Sequence, residues 1–211
     1  MSTLSRWTVA LAAVLIVAAL ALPLWRIQLV APQYPEGLGM VIHANTVRGA
    51  TEHDLHSINS LNHYIGMKAI EPEEIPELRV MPWLIAGLAA AGLVVAVVGR
   101  RTPLIAWLMT FALAGGIGFW DFYRWEYTYG HDLDVAHAII KVPGMTYQPP
   151  IIGSKQLLNF TATSWPASGS FVLGAAFLLA LAALLSTRLA PARLGRFTRL
   201  AQVPRPHGGV A

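Results

Sequence analysis

Long apolar runs alternate with polar segments along this chain, and the apolar runs are long enough to form transmembrane helices. A helix needs about 20 predominantly apolar residues to cross the hydrocarbon core of a bilayer. Four segments meet this requirement, at residues 7–24, 83–99, 103–120 and 167–186. Each is expected to be helical, because a single segment in hydrocarbon can satisfy its backbone hydrogen bonds only internally.

Two long connections, at residues 25–82 and 121–166, join these spans and contain most of the polar side chains. In the first, apolar residues recur at spacings of three and four over residues 51–67, which predicts a helix with Thr51 as its N-cap. The pattern therefore predicts an all-α integral membrane protein with four transmembrane helices and two long, partly helical connections. Residues 1–211 are predicted to form one membrane domain, which ends in a basic cytoplasmic tail at residues 187–211.

The composition supports a membrane protein and excludes several kinds of site. Hydrophobic residues make up 55% of the chain and charged residues only 12%, against about 25% charged residues in an average soluble domain. The chain contains no cysteine, which excludes disulfides, thiolate metal sites and cysteine nucleophiles. The formal net charge of +4 would suit a nucleic-acid ligand, but the positions of the charges have another explanation.

The charges are divided between the two predicted sides of the membrane. One side has eight arginines and no acid, whereas the two connections contain all eleven acids with seven Lys and Arg. Because basic residues concentrate on the cytoplasmic side, both termini are predicted to be cytoplasmic and both connections periplasmic, in a bacterial inner membrane. The arginine-rich tail would then face anionic lipid head groups, and no nucleic-acid partner is predicted.

The first apolar run has an alternative interpretation as a cleaved signal peptide, because Ala19-Leu20-Ala21 resembles a cleavage site. Its apolar run is longer than the core of about 7–15 residues that is usual in signal peptides. This length favours a retained helix. Cleavage would leave three spans and the same two connections on the outer side.

Histidine and methionine side chains cluster in the two connections. In the predicted helix they recur at spacings of three and four, so neighbouring members share a face. In the second connection a similar set at residues 131, 134 and 137 recurs every three residues and is predicted to share a helix face as well. The candidate ligands are His53, His56, His63, Met67, His131, Asp134 and His137. Imidazole suits copper and zinc, and thioether selects Cu(I). The set predicts one or two copper sites, although histidines on a solvated polar face would give the same pattern.

Two other functions remain open at this point. A quinol- or haem-binding subunit of an electron-transfer complex is one, because Asp121, Glu126 or His131 could accept quinol protons at the outer membrane surface. Paired histidines could ligate haem, but no histidine lies inside a predicted span. The other is a metal-free scaffold whose ordered connections dock a partner enzyme.

Four segments carry a resemblance to a known family, and they lie at residues 32–38, 58–67, 129–134 and 142–150. They are similar to a family of small polytopic bacterial membrane proteins encoded in nitrous oxide reductase gene clusters of the Sec-dependent type, often called NosB. The resemblance covers both connections and the order of the spans, hence most of the chain. It implies a four-helix inner-membrane protein that helps to mature a periplasmic copper enzyme, or supplies electrons to it, and it assigns no catalytic residues.

Together, the ligand chemistry and the resemblance predict a copper-handling accessory protein rather than an enzyme. Its His- and Met-rich connections would bind copper or pass it to a periplasmic copper enzyme such as nitrous oxide reductase. The expected partners are the lipid bilayer and a periplasmic copper protein or a membrane redox complex.

Overall fold

The computed structural model describes residues 1–200, with side chains described as far as Thr187. The helices are α1 (Thr3–Ala19), α2 (Asp54–Ile65), α3 (Pro76–Val98), α4 (Arg101–His131) and α5 (Ser168–Leu200). The strands are β1 (Trp25–Ala31), β2 (Tyr34–Ile42), β3 (Val47–Gly49), β4 (Gly153–Leu157) and β5 (Phe160–Pro166), and a 3-10 turn covers Pro72–Glu74. Residues 201–211, which belong to the predicted basic tail, lie outside the described residues.

Three helices are long and apolar enough to cross a membrane, namely α3, α4 and the Ser168–Thr187 part of α5. The fourth apolar helix, α1, has 17 residues and lies at the centre of the bundle, against α3 and α5. Val9, Ala12 and Ile16 of α1 are fully buried. The chain is therefore a membrane protein in which α1 provides a central packing surface for longer helices.

Two of the predicted spans extend further than their apolar runs. α3 begins at Pro76, seven residues before the predicted start at 83. α4 has 31 residues, or about 46 Å at 1.5 Å per residue, which exceeds the hydrocarbon thickness of about 30 Å. No ionisable residue lies between Arg101 and Asp121. The apolar part of α4 is therefore long enough to cross a membrane by itself, and residues 121–131 extend the helix beyond this apolar part.

The prediction of an all-α protein is wrong, because the two connections form one five-stranded antiparallel sheet in the order β3-β2-β1-β5-β4. The first connection contributes β1, β2 and β3, and the second contributes β4 and β5. The central pair joins them, with Trp25 opposite Pro166 and Leu29 opposite Ala162. We call the end of the helix bundle that carries this sheet the sheet side.

α2 covers one face of the sheet, as the apolar spacing of its residues predicts. Leu55, Ile58 and Leu61 pack into the same apolar cluster as Ile27 of β1 and Met40 of β2. Helices in proteins gain most of their stability from burying such an apolar face. The sequence pattern thus identified both the helix and the face that it buries.

The start of α2 differs from the prediction, because Thr51 does not cap the helix. Its hydroxyl donates a hydrogen bond to the Asp54 carboxylate, which also accepts the backbone N–H groups of Gly39 at 2.8 Å and of Thr51 at 3.2 Å. Burial by itself would raise the pKa of Asp54, but these hydrogen bonds outweigh burial and hold the pKa below its usual value. Asp54 therefore fixes the beginning of α2 to β2.

Candidate functional site

A cavity of about 630 Å³ lies between the sheet, α2 and the sheet-side ends of α3 and α4. Its volume falls within the range of about 300–1,000 Å³ that is common for small-molecule sites. Strands, helices and the segment before β4 all contribute apolar side chains to its wall. These include Ile27, Leu29, Met40, Ile42, Ile58, Leu61, Leu78, Phe122, Trp125, Pro149, Leu157 and Phe160. The cavity is therefore suited to an apolar or amphiphilic ligand.

Glu126 is a buried acid in this apolar wall. It lies on the part of α4 that follows the apolar run, and its exposed fraction is 6%. Neither of its carboxyl oxygens has a hydrogen-bond partner among the described residues. Burial raises the pKa of Glu126 to about 8, because a desolvated carboxylate is unfavourable. At neutral pH the group is therefore mostly a carboxylic acid, which can donate one hydrogen bond and accept others.

Tyr147 is a second buried polar group beside the cavity. Its exposed fraction is 3%, its hydroxyl has no partner among the described residues, and burial raises the pKa of this hydroxyl. The backbone N–H of Tyr147 donates to the carbonyl of Gly130 at 2.9 Å, one turn beyond Glu126. A Cβ atom at Gly130 would lie 2.4 Å from Cα of Gln148. Glycine is therefore required for this segment to lie against α4.

Beside another part of the cavity wall, the basic side chain of Arg124 pairs with two other acids. It therefore provides no counter-charge for Glu126. Nη2 of Arg124 donates to Glu77 at 2.9 Å and to Asp121 at 2.8 Å. The second carboxylate oxygen of Glu77 is buried and has no partner among the described residues. Arg124 therefore links α3 to α4 and compensates the two carboxylates beside the cavity.

The predicted ligands on α2 do not point into this cavity. His53, His56 and His63 are exposed, whereas Met67 follows the helix, is half-buried and lines the cavity. Within the part of the chain that the structure describes, no three His, Asp or Glu side chains form a group that could hold a metal ion. A copper site built from these residues stays a prediction.

The predicted helix face with His131, Asp134 and His137 is wrong, because α4 ends at His131. The chain then turns back onto α2, where the backbone N–H of Asp134 donates to the carbonyl of Gly66 at 2.8 Å. Asp134 accepts hydrogen bonds from Nδ1 of His137 at 2.7 Å and from its backbone N–H at 3.2 Å, and these lower the pKa of Asp134. His131 stacks on Tyr127, with ring centroids 3.9 Å apart. The fold therefore pairs Asp134 with His137 and leaves His131 outside the pair.

Sequence reasoning identified Glu126 only as one of three possible proton acceptors and overlooked Tyr147. The available signal was the spacing of Phe122, Glu126 and Gly130, which recur every four residues and therefore share a helix face. Continuing the helix past Trp120 would have placed Glu126 on that face. Tyr147 had no comparable signal, because its burial depends on a contact with α4.

Comparisons with known proteins do not identify the chain. No protein-family model matches the sequence, and no curated protein matches it significantly. The resemblance to the NosB-like family therefore stays a prediction, and the function must be argued from the geometry of the cavity.

Proposed function

We propose that this chain is a membrane subunit that binds the head group of a quinol or quinone in the cavity at the sheet side. The observation that carries the proposal is that Glu126 and Tyr147 place buried polar groups in an apolar wall, where they have no hydrogen-bond partner among the described residues. Leaving a buried polar group unsatisfied costs about 1–3 kcal/mol. A quinol or quinone would supply the missing partners, because its apolar ring has an oxygen at each of two opposite positions.

The two protonation states of Glu126 suit the two states of this ligand. As an acid, the carboxyl group donates a hydrogen bond to a quinone carbonyl; as a carboxylate, it accepts one from a quinol hydroxyl. An electron acceptor for the quinol would belong to a partner complex. The haem alternative has less support, since none of the described residues that line the cavity is a histidine.

The proposed topology has four membrane spans, with both termini in the cytoplasm and the sheet in the periplasm of a bacterial inner membrane. The sheet-side ends of α1 and α5 meet, since the backbone N–H of Gly169 donates to the carbonyl of Pro23 at 2.8 Å. The other ends of α1 and α5 therefore lie at the end of the bundle opposite the sheet, where α3 is also connected to α4. The excess of arginine at that end supports a cytoplasmic orientation.

Quinone binding is measured on protein purified in mild detergent and placed in nanodiscs of quinone-free phosphatidylcholine. Short-chain ubiquinone is titrated while tryptophan fluorescence is followed, because Trp125 lines the cavity. The wild type is expected to show saturable quenching. Glu126→Leu is expected to weaken binding about tenfold, since losing one hydrogen bond of about 1.4 kcal/mol has this effect. Glu126→Gln keeps a donor and an acceptor and is expected to bind within about threefold of the wild type.

Asp132→Leu is the matched control, because Asp132 is an exposed acid near the end of the same helix and does not line the cavity. It should bind the quinone as the wild type does. Quenching no stronger than in empty nanodiscs, or equal affinity in wild type and Glu126→Leu, would contradict the proposal.

Copper handling is the second candidate, and one observation favours it. Three methionines of the first connection, Met40, Met67 and Met81, line the same cavity, and thioether sulfur is a soft ligand that selects Cu(I). The Asp134 carboxylate also fixes Nδ1 of His137, as the outer-sphere partner of a metal-bound histidine commonly does. Under this proposal the chain binds Cu(I) and passes it to a periplasmic copper enzyme such as nitrous oxide reductase.

Anaerobic titration with Cu(I) against a competing chelator separates the two candidates. If the cavity methionines bind copper, the wild type should retain stoichiometric Cu(I), and the triple variant Met40→Leu/Met67→Leu/Met81→Leu should lose it while keeping quinone binding. Leucine preserves the packing volume. The variant His53→Gln/His56→Gln/His63→Gln tests the exposed histidines in the same way. Retention no greater than that of protein-free nanodiscs would remove the copper function.

A further inference from the structure

A window lies between α3 and α4 on the sheet side of the bundle. The two helices touch towards their connection, where Nε1 of Trp107 donates to the carbonyl of Leu88 at 2.9 Å. They touch again beyond the membrane, through the Arg124–Glu77 ion pair. Between these contacts, residues 112–117 of α4 are all exposed. Six consecutive residues cover the whole circumference of an α-helix, so this part of α4 is exposed all round within the described chain.

The window opens into the cavity. A Cβ atom at Gly115, Gly116 or Gly118 would meet no atom within 4 Å, which shows open space along this edge of α4. Gly118 of α4 and Met81 of α3 also line the cavity that contains Glu126. Because these glycines precede Asp121, the window lies within the apolar length of α4, at the depth of the lipid hydrocarbon.

We propose that a long-tailed, membrane-dissolved amphiphile enters the cavity sideways through this window, with its head group at Glu126 and its isoprenoid tail along the glycines of α4. The inference rests on the proposed function and adds the route of entry and the need for a lipid-soluble tail. The glycines alone would not support it. The independent observation is Glu126, which is more than nine-tenths buried, has no hydrogen-bond partner among the described residues and lines the same cavity as Gly118.

The physical reason for lateral entry is the solubility of the ligand. A long isoprenoid tail is driven out of water in proportion to its apolar area, so the ligand is found in the bilayer rather than in the periplasm. A cavity that opened only to water would require extraction of the tail. A window at hydrocarbon depth lets the tail remain beside lipid while the head group reaches the buried acid.

Leucine side chains at the window test the route. Gly115→Leu and Gly116→Leu, at two window glycines that do not line the cavity, are compared with Gly174→Leu, because Gly174 of α5 also has no atom within 4 Å of a built Cβ and lies away from the window. Two probes are titrated in nanodiscs, a long-tailed ubiquinone and the same ring without a tail. The window variants are expected to weaken binding of the long-tailed probe about tenfold and to leave the tailless probe unchanged. Gly174→Leu should bind both probes normally.

The possible outcomes separate this inference from the proposed function. If wild type and window variants bind both probes equally, the window route is wrong and the quinone cavity stands. If the wild type binds neither probe, both proposals fail. A change from dimer to monomer in Gly116→Leu, measured by the mass of the detergent-solubilised protein, would overturn the route and assign the window to a helix of a second copy.

Discussion

Replacing Glu126 by leucine is expected to raise the thermal unfolding midpoint of the ligand-free protein while it weakens quinone binding about tenfold. The carboxyl group is 6% exposed and has no partner among the described residues, so folding desolvates it without compensation. Such a group costs about 1–3 kcal/mol, and leucine of similar volume removes this cost and extends the apolar wall. The measurement is thermal unfolding in detergent, followed by tryptophan fluorescence, with the binding titration on the same preparations.

This opposition between stability and binding is typical of functional sites, where activity needs groups that are unfavourable for folding. A Glu126→Leu variant that unfolds at a lower temperature than the wild type would show instead that the carboxyl group makes an interaction that stabilises the folded protein. Glu126→Gln separates the two effects, because the amide remains buried and polar. Glu126→Gln should still bind the quinone, and its thermal unfolding midpoint should not exceed that of the wild type.

The raised pKa of Glu126 predicts how the free energy of unfolding depends on pH. Because its pKa is raised to about 8 in the folded protein, against about 4.3 for glutamate in an unfolded chain, the folded state binds an extra proton between these values. Stability should therefore fall as pH rises from about 4.3 to about 8 and then level off. Glu126→Gln should lose this slope. The other ionisable groups that line the cavity are Glu77 of α3, Asp121 and Tyr129 of α4, Tyr34, Tyr64 and Tyr147.

The second large effect is expected at Asp54, where Asp54→Ala should lower the free energy of unfolding by about 2–4 kcal/mol. The carboxylate is 7% exposed and accepts hydrogen bonds from the backbone of Gly39 and from Thr51. Alanine would leave these donors buried and unpaired. It would also release the start of α2 from the sheet, and α2 covers the cavity, so quinone binding should weaken as well.

Asp132→Ala is the control for this experiment. Asp132 forms an ion pair with Lys68 in which the two side chains are 60% and 63% exposed, and exposed pairs contribute about 0–1 kcal/mol. Denaturant unfolding should thus separate the two variants clearly, and equal losses would contradict the role of Asp54. Because the pKa of Asp54 is lowered by folding, its contribution should be complete above about pH 4 and should disappear as pH falls below that value.

Much of the membrane part could be predicted from the sequence, because the rule that governs it is local. A chain in hydrocarbon must satisfy its backbone within each segment, so an uninterrupted apolar run such as 103–120 already specifies a helix. The same holds for α2, since the spacing of Leu55, Ile58 and Leu61 alone shows which face is buried. These features depend on neighbours within a few residues, which the sequence displays directly.

The sequence contained only a partial signal for the sheet. Apolar and polar residues alternate in β1 from Trp25 to Leu29, which is the period of a strand. A strand becomes stable, however, only when it pairs, and the partner of β1 is β5, at Phe160–Pro166. Nothing local in either segment specifies a partner on the other side of two membrane helices.

The candidate site was decided almost entirely by the tertiary structure. The sequence determined that this is a membrane protein, that most of its polar and ionisable residues lie between the apolar runs, and that Glu126 belongs to an aromatic segment after the third apolar run. Only the folded chain decided that this acid is buried, because residues from β1, β2, α2 and the segment at Tyr147 enclose the cavity that it lines. Burial is the sum of contacts from distant parts of the chain, and it is burial that turns an ordinary surface carboxylate into a neutral, unpartnered acid within a cavity.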